Sequence, residues 1–214
     1  MKTTFTNQAG GVIVQNLIRT IQKNKDYLGE LDGQIGDGDH GINMNKGFTL
    51  CEKKLEGTNS NMTRSFEVLS QTLMEDIGGS MGPLYGVFFE AMAEKSDGET
   101  EIGAVIFDVM LKEAVAQVED IGNAKRGDKS LLETILPAQE AFTAALAAGK
   151  DFAAAIGEMR DAAEIGWKST KDMVAKIGRA SRLGERSRGF LDPGATSSYL
   201  LLDSMAASVR TLLQ

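Results

Sequence analysis

Three aspartates, Asp32, Asp37 and Asp39, fall within the short stretch DGQIGDGDHGIN, beside Gly36, Gly38 and Gly41. Carboxylates this close repel one another unless a cation sits among them. Oxygen donors, with no sulfur and no cluster of imidazoles, suit a hard cation such as Mg2+ or Ca2+. Mg2+ held by few protein ligands shares its remaining positions with water and substrate phosphates. The first chemistry to expect is therefore a metal–nucleotide complex. The plainer alternative is a solvated acidic turn, since Asp and Gly are ordinary turn residues.

Other stretches could serve the same chemistry. His40, the only histidine, lies inside the acidic loop, where it is either structural or in reach of phosphate. Asn43 follows as a helix cap or a phosphate ligand. GGSMGPLYG, from Gly78 to Gly86, precedes an expected helix. Exposed N–H groups there would favour an anion, or the glycines would allow two helices to pack closely. Asp128 and Ser130 precede an apolar helix and read as caps. Arg179, Arg182, Arg186 and Arg188 lie in a glycine-rich loop, ready for phosphate, for a partner's carboxylates or for solvent alone. Asp192-Pro193-Gly194-Ala195 reads as a helix entrance capped by Asp192.

Three familiar patterns fail on inspection. GDGDHG matches the dinucleotide fingerprint literally, but an amphipathic helix precedes it, and Asp37 and Asp39 would repel a phosphate without a metal. GNAKRGDKS departs from a P-loop at Asp128 and has no strand leading in. An EF-hand begun at Asp37 would place Ile42 and Phe48 where glycine and glutamate belong.

These loops must be positioned by helices. Apolar residues recur at helical spacing over 9–29 (Val12, Val14, Leu17, Ile18, Ile21, then Tyr27 and Leu28), over 61–76 (Met62, Phe66, Leu69, Leu73) and over 101–120 (Ile102, Val105, Ile106, Val109, Val115, Val118). Further helices are expected near 41–57, 79–95, 130–148, 151–177 and 194–213, about eight in all. Pro83 and Pro193 lie near helix starts, whereas Pro137 would kink or restart its helix. No strand–turn–strand pattern is apparent. The interhelix loops 30–41, 76–83, 121–130 and 178–194 hold the residues of interest.

The chain has 214 residues, 42% hydrophobic and 25% charged, the balance of a soluble globular protein and enough for a single domain over 1–214. A net charge of −7, with no basic cluster beyond Arg179 to Arg188, argues against nucleic acid. No apolar run is long enough for a bilayer, and no secretory signal is seen. One cysteine, Cys51, permits no internal disulfide, and with a single histidine it argues against zinc. A cytoplasmic protein is expected.

Together the blocks IGDGDHGINMNKGF, IGGSMGPLYG, RGDKSLLETILPA and GRASRLGERSRGFLDPGATS resemble those of the nucleotide-binding L subunits of dihydroxyacetone kinases, in the same order and across nearly the whole chain. The resemblance implies an all-α, eight-helix, antiparallel up-and-down barrel with the nucleotide loops at one end. It implies two Mg2+ ions on Asp32, Asp37 and Asp39. Phosphate contacts would come from His40, Gly41, Ile42, Asn43, Ser80 and Met81. Gly122, Leu131, Arg179, Asp192, Pro193 and Gly194 would surround the base, ribose and lid. Leu131 stands where the family carries methionine, an apolar exchange that keeps a surface for adenine. Arg182 stands where tyrosine is expected, which alters lid or partner contacts.

The implied chemistry is phosphoryl transfer from Mg–ADP/ATP, with no catalytic side chain beyond the metal–nucleotide site. The ketose would sit on a separate K subunit, bound through a histidine hemiaminal, so this chain would be half of an enzyme. A phosphotransferase-system M subunit would rephosphorylate bound ADP. The alternatives are an L subunit of an ATP-dependent kinase for another ketose such as erythrulose, or a non-catalytic lipid-binding or regulatory helical barrel. A homodimer is compatible with either.

Overall fold

The computed structural model describes residues 2–214, which contain nine α-helices. A short strand β1 (Thr4–Thr6) leads into α1 (Asn7–Lys23), where the Thr6 hydroxyl accepts the Ala9 N–H at 3.1 Å. Ile13, Val14, Leu17, Ile18 and Ile21 form its buried face. The helical pattern over 9–29 predicts one helix, but the chain breaks at Asn24. Its side-chain amide donates to the Thr20 carbonyl at 2.8 Å, and a second helix, α2 (Lys25–Ile35), sets off. The apolar period masks this break because Leu28 resumes burial on the far side of it.

Next come α3 (His40–Leu55), α4 (Met62–Asp76) and α5 (Met81–Ser96). Strand β2 (Glu101–Gly103) pairs antiparallel with β1, Phe5 opposite Ile102. This small sheet corrects the expectation of helix from 101. With three residues a side, no alternation is long enough to show. The remaining helices are α6 (Ala104–Ile121), α7 (Leu132–Ala147), α8 (Phe152–Ser169) and α9 (Pro193–Leu212). On α6, Val105 and Val109 face solvent, and Phe107, Met110, Leu111 and Ala114 supply the buried face.

Pro137 lies inside α7 without ending it. Proline cannot donate to the Glu133 carbonyl four residues earlier. That carbonyl instead faces Gly166 of α8, where no side chain intervenes. The helix expected over 151–177 stops at Ser169. Ser169 and Thr170 hydroxyls take the Gly166 and Trp167 carbonyls at 2.7 Å each, and a 3-10 turn, Thr170–Asp172, follows.

Each helix from α4 onward packs on its successor, and α9 returns to α1, which also packs on α3 and α4. One core runs from Phe5 to Leu213. Successive connections alternate between two ends. At one end lie the strands and the turns after α3, α5 and α7, joined by contacts such as Gln8 to the Asn59 carbonyl at 3.0 Å. At the other lie the α2–α3, α4–α5, α6–α7 and α8–α9 loops, with α2 across them. Among the described residues, no helix is long and apolar enough to cross a membrane.

Candidate functional site

The acidic trio is made by a close crossing of α2 over the start of α3. Gly41 has its Cα against the Lys25 carbonyl and the Gly29 N–H, and a side chain there would run into both. Gly38 adopts φ +78°, a conformation that favours glycine, and turns the chain back past Gly33. Asp32 is thus on the last turns of a helix, not in a loop, while Asp37 and Asp39 come from the turn that follows. One oxygen from each carboxylate lies within 4.8 Å of the others. Asp32 accepts the His40 N–H at 3.2 Å.

Electrostatically the trio is incomplete. Arg179, reaching across from the α8–α9 loop, pairs with Asp37 and lies 3.3 Å from Asp39. Asp32 has no cationic partner among the described residues' ion pairs. Burial pushes its carboxyl above the usual carboxylate range, the charges of Asp37 and Asp39 push it further, and the His40 and Gly38 N–H groups pull it down. The donor set is all hard oxygen, and its uncompensated member lies where a divalent cation would relieve it. These residues fit Mg2+.

His40 begins α3 and is buried, 9% exposed. Burial lowers its pKa to about 4, so the ring is neutral at physiological pH. Its Nε2 lies 2.8 Å from the Ser197 hydroxyl, which is 2.7 Å from the Tyr85 hydroxyl. Tyr85 in turn donates to the Gly194 carbonyl at 3.0 Å. This buried chain locks α3, α5 and α9 together. Neither Tyr85 nor Ser197 stands out in the sequence as a site residue. Both sit inside recognised blocks, but nothing in residue type or spacing announces that they meet.

Gly41 lies under α2, Ile42 is 59% exposed beside the trio, and Asn43 occupies the first turn of α3. The cap position there is Asp39, whose carbonyl accepts the Asn43 N–H at 2.9 Å and whose carboxylate caps no N–H but faces Arg179. In the Gly78–Gly86 block the close helix packing is seen at one end, and the other end is open to solvent. Gly82 packs against the Leu73 and Ile77 carbonyls, whereas Gly78, Gly79 and Ser80 are exposed at the start of α5 and Met81 is partly buried behind them. Gly122 ends α6 and lies against Leu84 of α5.

Asp192 caps α9 as expected, its carboxylate accepting the Ala195 N–H at 2.7 Å, with Pro193 in the first turn. Burial pushes its carboxyl up to about 6, against the hydrogen bonds of Ala195 and Gly194 and the charge of Lys129; Asp32 is near enough to raise it slightly. Gly194 lies against Leu131, which is 7% exposed at the start of α7. Asp128 departs from expectation: it closes the preceding turn by accepting the Lys125 N–H at 2.8 Å and leaves the start of α7 to Ser130, which accepts the Leu132 N–H at 3.2 Å.

Contacts therefore run from Asp32 through His40, Ser197 and Gly194 to Leu131, and from Asp37 and Asp39 to Arg179. Ser80, Met81 and Gly122 lie on neighbouring loops at the same end. At this end the acidic trio thus lies on one side, and Leu131 packed against Gly194 on the other.

Residues 34–207 match the family model described as the DAK2 domain. The chain is 34% identical over 203 residues to the PEP-dependent dihydroxyacetone kinase 2, ADP-binding subunit DhaL, of Listeria innocua, covering 94% of each. To the PEP-dependent dihydroxyacetone kinase, ADP-binding subunit DhaL, of Escherichia coli it is 33% identical over 186 residues, 86% of this chain and 89% of the relative. An L-erythrulose kinase of Pectobacterium atrosepticum is 30% identical over 184 residues, 84% of this chain but 31% of the relative. The fold is that of part of the dihydroxyacetone kinase of C. freundii, solved with AMP-PNP and Mg2+. The TM-score is 0.69 at 23% identity, over 92% of this chain and 33% of that one. The extent of the family match, and the whole-length similarity to separate subunits, lead to one assignment: the chain belongs to the DAK2 domain family.

Proposed function

We propose that this protein is the ADP/ATP-binding subunit of a dihydroxyacetone-type kinase, acting as one cytoplasmic unit over residues 1–214. It would carry Mg–nucleotide to a ketose held on a separate K subunit. The observation that carries this reading is the trio Asp32, Asp37 and Asp39, with its oxygens converging within 4.8 Å at the mouth of a helical bundle. These residues would hold two Mg2+ ions. When bound, the metal supplies charge neutralisation at the phosphoryl oxygens.

The chain's own groups do the positioning. Exposed N–H groups at Gly79, Ser80 and Met81 start α5 and suit phosphate oxygens. At the start of α3, beside the trio, the His40 and Asn43 N–H groups are taken by Asp32 and the Asp39 carbonyl, so the N–H groups of Gly41 and Ile42 and the side chain of Asn43 would meet phosphate there. Leu131 and Gly194 form an apolar wall suited to a base, with Gly122 on the adjoining loop. Arg179, already paired with Asp37 and Asp39, has a guanidinium placed to meet phosphate charge from the lid side. Asp192 and Pro193 fix the start of α9, which backs the wall.

Similarity over nearly the whole length of separate ADP-binding subunits supports the relay form, in which bound ADP is rephosphorylated by a phosphotransferase-system M subunit. The erythrulose kinases are matched over about a third of their length, which favours the free-ATP alternative less. The lipid-carrier alternative has little room. The apolar cavity among Tyr85, Phe88, Leu131, Ile135, Leu201 and Met205 has room for about one water, and the larger groove between α1 and α3 is lined largely by polar and charged side chains such as Gln15, Arg19, Glu52 and Lys53.

The deciding experiment is a calorimetric titration of ADP with and without Mg2+. Magnesium-dependent binding is expected, weakened in Asp37→Asn with the helical circular dichroism unchanged. Folded protein that binds no Mg–ADP would overturn the proposal. ADP retained through purification and exchanged slowly would favour the relay form. Rapid exchange, with turnover on ATP once a K subunit is added, would favour the other.

A further inference from the structure

Between α8 and α9 the chain makes its longest excursion from regular helix. From Thr170 it passes through an extended stretch to 3-10 turns at Arg179–Ser187, broken at Gly184, and returns to Asp192. Arg179 sits on this loop, away from its stems. The stems, near Met173 and Ser187–Phe190, meet over Lys129, which belongs to a different loop altogether.

Lys129 is an unusual lysine. It is 1% exposed, and its backbone adopts φ +62°, the only positive φ of a non-glycine residue described. Its ammonium donates to three backbone carbonyls: Met173 at 3.2 Å, Ser187 at 2.5 Å and Phe190 at 2.8 Å. An ammonium has three protons, so its donors are fully used. The partners come from both stems at once. Other bonds in the clasp run directly between stems, such as Ala175 N–H to the Ser187 hydroxyl at 2.9 Å and Gly189 N–H to the Lys171 carbonyl at 2.7 Å. Burying a cation is costly unless it is hydrogen-bonded and paired, and here three carbonyls take all its protons. Asp192 supplies opposing charge nearby, while Arg188 works against it. Two residues beyond Lys129 lies Leu131, so one residue ties the apolar wall to the loop that carries Arg179.

Resting on the nucleotide-binding reading, we propose that Lys129 is the positioning residue of the lid: its ammonium clamps both stems of the Met173–Phe190 loop and so holds Arg179 over Asp37 and Asp39. With all three protons on carbonyls, it would touch neither metal nor nucleotide. Its effect on the site passes through Arg179.

The test begins with amide hydrogen exchange without nucleotide. In Lys129→Met, exchange over 173–190 should accelerate at least about tenfold, since three charge-assisted hydrogen bonds are lost, while α1, α4 and α5 stay protected. Ser187→Ala, which removes the stem-to-stem bond from Ala175 and a local one to the Gly184 carbonyl but leaves the three ammonium bonds, should change it far less. Equal acceleration in both variants, or none in Lys129→Met, overturns the clamp. Release of Mg–ADP should speed up about tenfold in Lys129→Met and in Arg179→Ala, and the double variant should be no faster than the faster single. A double variant showing the product of both effects would mean that Lys129 does not act through Arg179. Nitrogen-detected NMR of the wild type gives a readout independent of variant folding. One slowly exchanging lysine ammonium, with contacts to 173–190, is expected, and its absence overturns the clamp. Wild-type protein that binds no Mg–ADP would defeat the proposed function, and the exchange and NMR results would still decide the clamp.

Discussion

Replacing Asp32 by asparagine should stabilise the metal-free protein and destabilise the magnesium-loaded one. Asparagine keeps an oxygen to accept the His40 N–H, so the substitution removes charge and little else. Two carboxylates about 5 Å apart repel by roughly 3 kcal/mol at an effective dielectric near 20. Asp32 faces two of them, with oxygens converging within 4.8 Å. Asp37 and Asp39 are about half exposed and share Arg179, so solvent and the guanidinium screen most of this. A net relief of about 1 kcal/mol remains, which is about 2–4 °C in melting temperature for a chain of this size. The measurement is thermal unfolding in EDTA and in millimolar Mg2+. In EDTA the variant should melt higher. In Mg2+ the order should reverse, because a tenfold loss of metal affinity forfeits about 1.4 kcal/mol of ligand-linked stability. The pH dependence follows from the raised pKa of Asp32. A carboxyl whose folded value lies above its unfolded one penalises the fold only when ionised. The variant's advantage in EDTA should therefore be complete at neutral pH, shrink as pH falls through that raised value and vanish below about 3.8. A variant that melts lower than wild type in both buffers would refute the argument that the trio is an uncompensated cluster awaiting a cation.

Gly41→Ala would force α2 away from α3 by a clash with the Lys25 carbonyl, costing about 1–3 kcal/mol in urea unfolding and weakening Mg2+ binding, because Asp32 rides on α2. Ser197→Ala would orphan the His40 ring nitrogen and weaken the tie of Tyr85 to α9. A loss of about 1–3 kcal/mol is expected by chemical denaturation, with helical content intact. The neutral His40 ring makes the fold acid-sensitive in a defined window. Its folded pKa of about 4 lies below the ordinary 6.5, so the unfolded chain takes up the proton first. Its contribution is complete above pH 6.5 and is lost as pH falls toward 4, by at most about 3 kcal/mol. Unfolding free energies of wild type minus His40→Gln across that range should show this slope, and a flat difference would contradict it.

The helices were legible in the sequence because each buries a stripe, and stripes such as Phe66, Leu69 and Leu73 on α4 repeat over several turns. The breaks were less so. Asn24 ends α1 by bonding its own helix's carbonyl, an event of one residue that the apolar period carries across. The strands at Phe5 and Ile102 depend on a partner nearly a hundred residues away. At the site, the acidic trio could be read because like charges close in sequence carry their own argument. The sequence suggests a loop at Asp32 because of its glycine neighbours. In the structure those glycines permit a helix crossing. Lys129 was invisible for a physical reason: its partners are backbone carbonyls, which every residue possesses, so no pairing of side-chain types betrays a buried lysine.

The acidic trio and the Arg179 loop are held by different kinds of force, and this bears on how nucleotide would be exchanged. The acidic side is set by backbone packed on backbone, Gly41 against Lys25 and Gly29, backed by the buried His40–Ser197–Tyr85 chain. Moving it means separating two helices. The Arg179 side is a loop of 3-10 turns whose stems converge on one ammonium and a few hydrogen bonds. Elements that open locally are drawn from those with few buried apolar contacts, so opening should occur on the lid side while the metal ligands stay in place. Metal affinity and nucleotide residence time are then separable properties. Substitutions in the trio should alter the first at any lid strength, and substitutions in the clasp should alter the second with the trio intact. A subunit that retains ADP and one that trades it for ATP could thus share every metal ligand and differ in the clasp alone. A Lys129→Met protein with unchanged Mg2+ dependence but rapid ADP release would have crossed from one behaviour toward the other.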